Sequence, residues 1–125
     1  MKSQITSFTK LDVWREAHAL VLLIYKLTKK FPNEEKFGLT DQLRRAAVSI
    51  TSNIAEGFYR RTYKDKINFY YHALASTGEV QNQLLIARDL KYIVQEEFVQ
   101  MAEQSITVHK LLNGLIKSSY KKFSS

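Results

Sequence analysis

The stretch Phe58-Tyr59-Arg60-Arg61-Thr62-Tyr63-Lys64-Asp65-Lys66 is the best site-like cluster in the chain. Arg and Lys neutralise phosphates, and Tyr or Phe rings stack on unpaired bases, so this interleaving points to nucleic acid. Arg60, Arg61, Lys64, Lys66 and, further upstream, Arg44 are expected to meet phosphates, with Tyr59 and Tyr63 as stacking rings. The competing reading is a solvated loop whose aromatics pack under the end of the fold. No RRM, KH or helix-turn-helix signature accompanies the cluster.

Other chemistries find less support. Glu56 and Glu79 are candidate carboxylates for acid/base work. Yet Arg45, Ser49, Ser52 and Glu56 recur at i, i+4, i+7 and i+11, which places them on one helical stripe, with Asn53 at its margin. Arg45, Ser49, Ser52, Asn53, Glu56 and Glu79 therefore read as a structural polar seam between helices or subunits. There is no Cys, no glycine-rich phosphate loop, no HExxH and no Glu-x-x-His. His18, His72 and His109 fall on three separate segments, and His109 reads as a satisfied core histidine. No enzyme, metal site or cofactor is expected.

The formal charge is +7, from 19 Lys/Arg against 12 Asp/Glu. It is uneven: residues 36–66 hold seven cations and three acids, whereas residues 67–113 hold three and five. A local basic surface points to polyanions, RNA or DNA first. Seven Phe, seven Tyr and a 45% apolar content fit a folded chain, and 125 residues make one domain, 1–125. The stretch Met1-Lys2-Ser3-Gln4-Ile5-Thr6-Ser7 has no apolar leader, and the longest apolar run, Ala19 to Tyr25, is too short to span a bilayer. Absent cysteine, a cytoplasmic location is expected.

One Pro and four Gly punctuate long stretches of 3.6-residue periodicity, so the chain reads as all-α. Helices are expected at about 12–30, 40–57, 63–90 and 95–120. The first repeats Val13, Ala17, Leu20, Ile24 and Leu27 on one face and stops at Phe31-Pro32. The second is capped by Thr40, buries Leu43, Ala46, Ala47, Ile50 and Ile54, and ends at Gly57 in a left-handed conformation. The third starts with a capping box at Thr62 and Asp65, and its small middle, Ala73 to Gly78, suits close approach of a neighbouring backbone. The fourth frays from Ser118. Short loops make this an antiparallel up-and-down four-helix bundle. Phe69, Tyr70 and Tyr71 reach round more than one face, so a cyclic homo-oligomer is expected.

The segments Leu11-Asp12-Val13-Trp14, Phe31-Pro32-x-Glu34-Glu35-x-Phe37-Gly38-Leu39, Gln42 to Ile50, Ser52-Asn53-Ile54-Ala55-Glu56-Gly57 and Gln83 to Arg88 together resemble the 23S rRNA intervening-sequence protein family, also called the S23 or four-helix-bundle family. The likeness covers roughly residues 9–115. It implies a four-helix bundle that assembles as a homopentamer around a central channel, with no established biochemical role. The chain also looks like a relative of the accessory variability protein of diversity-generating retroelements, a basic pentamer that binds reverse transcriptase and nucleic acid. Thr51 stands where the family commonly has Pro, and Gly78 is displaced from the family's usual Gly-Ser. The expected function is non-enzymatic nucleic-acid binding, RNA slightly preferred. The alternative is a protein adaptor, for example for a polymerase.

Overall fold

The computed structural model describes residues 7–124. Residues 1–6, which carry most of the stretch with no apolar leader, and residue 125 lie outside it. Among the described residues there are four α-helices and no strand: α1 (Asp12–Thr28), α2 (Leu39–Tyr59), α3 (Tyr63–Asp89) and α4 (Gln95–Ser124). Short 3₁₀ turns at Phe8–Lys10 and Asn33–Glu35 precede α1 and α2. Each helix packs on its chain neighbour, α4 closes back on α1, and the backbones of the diagonal pairs stay more than 8 Å apart between Cα atoms. This is the four-helix bundle expected from short loops. No helix among the described residues is long and apolar enough to cross a membrane.

The core follows the predicted stripes on α1 and α2, whereas on α3 and α4 it is built on Val80 and Val108 and leaves Tyr71, Leu85 and Ile106 exposed. Leu20 and Ile24 of α1, Leu43, Ile50 and Ile54 of α2, Val80 and Leu84 of α3, and Val108 and Leu112 of α4 are fully buried. Each such side chain contributes about 1.5–3 kcal/mol by leaving water. Alanines at 17, 46, 47, 73 and 87 sit among them and keep the helices close.

The helix ends differ from expectation, and the differences have physical causes. Thr40 does not cap α2. The cap position is Gly38, and the acceptor is the Glu35 carboxylate, whose Oε1 takes the Leu39 N–H at 3.0 Å. The other Glu35 oxygen accepts from the Tyr92 hydroxyl at 2.8 Å, and these two bonds hold its carboxyl below the usual range. Thr62 does cap α3, accepting from the Asp65 N–H at 3.1 Å. At the far end of α3, Lys91 takes a left-handed φ of 64°. There the Tyr92 N–H reaches the Ala87 carbonyl and the Lys91 N–H that of Arg88, both at 3.0 Å, as in a Schellman cap built without glycine. α4 does not fray at Ser118 but stays helical through Ser124.

Two of the three glycines inside helices, Gly57 and Gly78, also behave unexpectedly. Gly57 is not left-handed, and α2 continues two residues past it to Tyr59. A Cβ added there would lie 2.6 Å from Tyr70 Cε1 and 3.1 Å from Phe69 Cβ. Gly57 thus serves the close approach of α3 to α2. Gly78 is the reverse case, since an added Cβ would meet nothing within 4 Å. The close approach expected along α3 occurs at Gly57, not at Gly78.

The Gly57→Ala substitution separates the two roles. Alanine raises helix propensity by about 1 kcal/mol, yet overpacking against the buried Tyr70 ring costs about 1–3 kcal/mol. Denaturant unfolding should show a lowered midpoint; a raised one would refute the tight contact.

Candidate nucleic-acid interface

The α2–α3 corner gathers most of the predicted residues at one end of the bundle. α2 ends at Tyr59, Arg60 turns extended, and Thr62 starts α3. With only three residues between the helices, their side chains crowd together. The Arg60 guanidinium stacks over Phe69 at 4.3 Å and lies 3.8 Å from Glu56. Arg61 and Lys64 are exposed, with no hydrogen bond or ion pair. Tyr59 is 62% exposed and stands edge-on to Phe8 and Phe58.

Three predicted contacts are placed elsewhere or turned inward. Lys66 is half-buried, and its ammonium donates to the Gly57 and Phe58 carbonyls at the end of α2. Burial and the neighbouring Lys122 lower its pKa. It binds carbonyls at a helix C-terminus, sharing that of Gly57 with the Arg60 N–H, and is not directed at a ligand. Tyr63 is half-buried, with the Lys122 ammonium 5.7 Å above its ring. Arg44 lies sixteen residues before Arg60 on α2, roughly 24 Å away given the helical rise, at the opposite end of the bundle.

The polar stripe of α2 also divides. Ser49 and Ser76 share a hydrogen bond of 2.8 Å between α2 and α3. Asn53 Nδ2 donates to the Ser49 carbonyl at 2.9 Å and to its hydroxyl at 3.1 Å. These three form an internal link. Arg45 instead pairs with Asp41 at 2.9 Å, Glu56 faces Arg60, and Ser52 and Glu79 are exposed. Glu56 and Glu79 do not converge on a shared group. Among the described residues no three His, Asp or Glu side chains cluster as metal ligands. His109 Nδ1 and Gln83 Oε1 are buried without a hydrogen-bond partner, so His109 is not the satisfied core histidine expected.

One feature escaped the sequence reading. Beside the corner, α3 and α4 splay into a cleft of about 480 Å³ lined by Lys64, Asn68, Tyr71, Tyr120 and Phe123 among others. Tyr71 and Tyr120 meet edge-on at 6.4 Å and are each nearly half exposed. The cleft offers aromatic faces, an exposed amide and a cation at its rim. The usable signal was Tyr120 and Phe123 at i, i+3 on a helix that was expected to fray.

The family described as 23S rRNA-intervening sequence protein matches residues 9–114. A solved protein of unknown function from the S23 ribosomal protein family of Bacteroides thetaiotaomicron VPI-5482 has a similar structure. It superposes with a TM-score of 0.76 at 26% identity, over 84% of this chain and 98% of the other. None of the curated proteins matches the chain.

The Lys66→Met variant tests the division of labour at the corner. It should lose about 1.5–3 kcal/mol of stability, the scale of hydrogen bonds from a charged donor. Arg61→Ala should change stability by less than about 0.5 kcal/mol, as exposed substitutions do. Equal losses in thermal unfolding would contradict the assignment.

Proposed function

Because the chain belongs to the 23S rRNA-intervening sequence protein family, we propose that it is a self-associating, non-enzymatic protein of the cytoplasm that binds nucleic acid, RNA in preference to DNA. The observation that carries this reading is the α2–α3 corner. Arg60, Arg61 and Lys64 stand there beside the exposed ring of Tyr59 and the aromatic cleft of Tyr71, Tyr120 and Phe123. Phosphates meet the cations, and a splayed base stacks in the cleft. Asp65 and Glu56 are the acids nearby, and Glu56 is already opposed by Arg60. Binding is therefore electrostatic at the rim and aromatic in the cleft. An unpaired RNA loop presents both features better than a duplex does.

A second surface supports self-association. Leu85 and Ile106 are exposed beside a small groove of about 160 Å³ between α3 and α4, which Phe98 and Ala102 also line. Gly78 lies open near the middle of α3. Contiguous apolar surface of this kind is usually covered by a partner. A second copy in a closed ring covers it, with the homopentamer implied by family resemblance as its size.

Two measurements test these readings. Binding of a stem-loop RNA should weaken steeply with salt, and the Arg61→Ala/Lys64→Ala pair should lower the log–log slope by about 1.4, two single-strand contacts' worth. Absence of binding at low salt would end the nucleic-acid reading. Light scattering should give five times the 14.6 kDa chain mass. A monomer mass would refute self-association and leave the α3–α4 face to a different protein, the adaptor role.

A further inference from the structure

At the end of the bundle opposite the nucleic-acid corner, the end of α1, the start of α2 and the connector between them form an open polar pocket of about 250 Å³ lined by Thr28, Lys29, Asn33, Lys36, Thr40 and Arg44 among others. From this geometry we propose a binding site for a single tetrahedral phosphate group, free or at the end of a larger ligand. The site is separate from the corner and stands whether or not the corner binds nucleic acid.

Arg44 is the first reason. Its guanidinium stacks on the Tyr25 ring at 4.6 Å, and its Nε donates to the Thr28 hydroxyl at 2.8 Å. One Nη2 N–H reaches the Tyr25 carbonyl at 3.5 Å. The Thr28 hydroxyl can accept because its own proton goes to the Ile24 carbonyl at 2.8 Å. Arg44 is thus held in one orientation by neutral groups and has no carboxylate partner. A guanidinium has five N–H donors, and most of this fork remains unused. A fixed, uncompensated guanidinium is preorganised for an oxyanion.

Thr40 is the second and independent reason. It is only 8% exposed, lines the pocket, and its hydroxyl has no hydrogen-bond partner. Buried Thr28 and Thr77 each donate to the carbonyl four residues earlier, at 2.8 and 2.9 Å. Thr40 sits in the first turn of α2, where no preceding helical carbonyl is in place. Because Glu35 caps the Leu39 N–H, the Thr40 hydroxyl is not consumed as a cap. The hydroxyl itself is not sealed off, so it opens onto the pocket and is free to donate to a ligand there.

The surrounding charges agree. Lys29 and Lys36 lie at the pocket, and neither forms an ion pair. Of the acids near this helix start, Asp41 pairs with Arg45 and Glu35 accepts from the Leu39 N–H and the Tyr92 hydroxyl, while Glu34 is exposed to solvent and does not line the pocket. The N-terminal end of α2 adds a positive partial charge. A phosphate would take the Arg44 fork on two oxygens and the Thr40 hydroxyl on a third, with the lysines neutralising the remaining charge.

The test is a titration with inorganic phosphate against chloride at matched ionic strength, followed by NMR of the Thr40 amide and the Arg44 Nε–H. A saturable shift at both is expected with phosphate and not with chloride. Thr40→Val keeps the shape of the side chain and should weaken binding about tenfold, the scale of one hydrogen bond to a charged group. Arg44→Lys keeps the charge, loses the fork, and should weaken it at least as much. A non-saturating response, or unaltered affinity in both variants with the fold intact by circular dichroism, overturns the proposal. Comparing a 5′-phosphorylated oligoribonucleotide with its 5′-hydroxyl form identifies the source. Extra affinity that Thr40→Val removes means a nucleic-acid end is seated here; equal affinities alongside inorganic phosphate binding mean a small phosphate ligand.

Discussion

Where α2 passes α3, no Cβ fits between the Gly57 backbone and the Tyr70 ring. The rest of the molecule follows from that approach. It brings the start of α3 against the end of α2, so Lys66 reaches the Gly57 and Phe58 carbonyls in the last turn of α2 with its ammonium. It also lets Arg60 lie flat on Phe69 and points Arg61 outward. Further along the same interface, Ser49 and Ser76 hold the two helices by a hydrogen bond instead of by larger apolar groups. Burial in this contact pushes the Tyr70 hydroxyl up to about 12, so the ring stays neutral throughout the physiological range.

The net positive charge divides into two populations. Some cations complete the fold. Lys66 serves the end of α2, Lys30 pairs with Glu97 across the α1–α4 contact, and Arg88 lies over Phe98. Others, such as Arg61, Lys64, Lys29 and Lys36, have no internal ion-pair partner. Composition counts both populations alike. In the fold Arg61 and Lys64 stand at one end of α2 and Lys29 and Lys36 at the other, with the Ser49–Asn53–Ser76 link between them.

Much of the fold was legible because it rests on periodicity. The stripe Leu43, Ala46, Ala47, Ile50 and Ile54 is buried as its spacing predicts, and the Thr62 cap forms as its motif predicts. Features set by distant residues were not legible. Gly57 looks like a helix stop from its neighbours, but its cause is Tyr70, thirteen positions later. Thr40 looks like a cap until Glu35, five residues earlier, takes that place. Lys66 looks like a phosphate contact until the end of α2 claims it, and the Tyr71–Tyr120 cleft joins helices whose pairing no local pattern encodes. The candidate site was therefore legible as a region, through Arg60, Arg61 and Lys64, and not as an arrangement.

The links that close the bundle also have a consequence in time. Glu35–Tyr92, Lys30–Glu97 and Glu16–Gln104 join residues 57, 67 and 88 positions apart. The α2–α3 corner, by contrast, is closed by a three-residue connection. Loop-closure entropy rises with the length of chain enclosed, so the corner assembles early and the α1–α4 seam last. During synthesis the apolar face of α1 meets α2 first and stays half covered until α4 has left the ribosome. The slowest surface to be sealed is thus the one made first, and the cell must keep α1 from other partners during that interval.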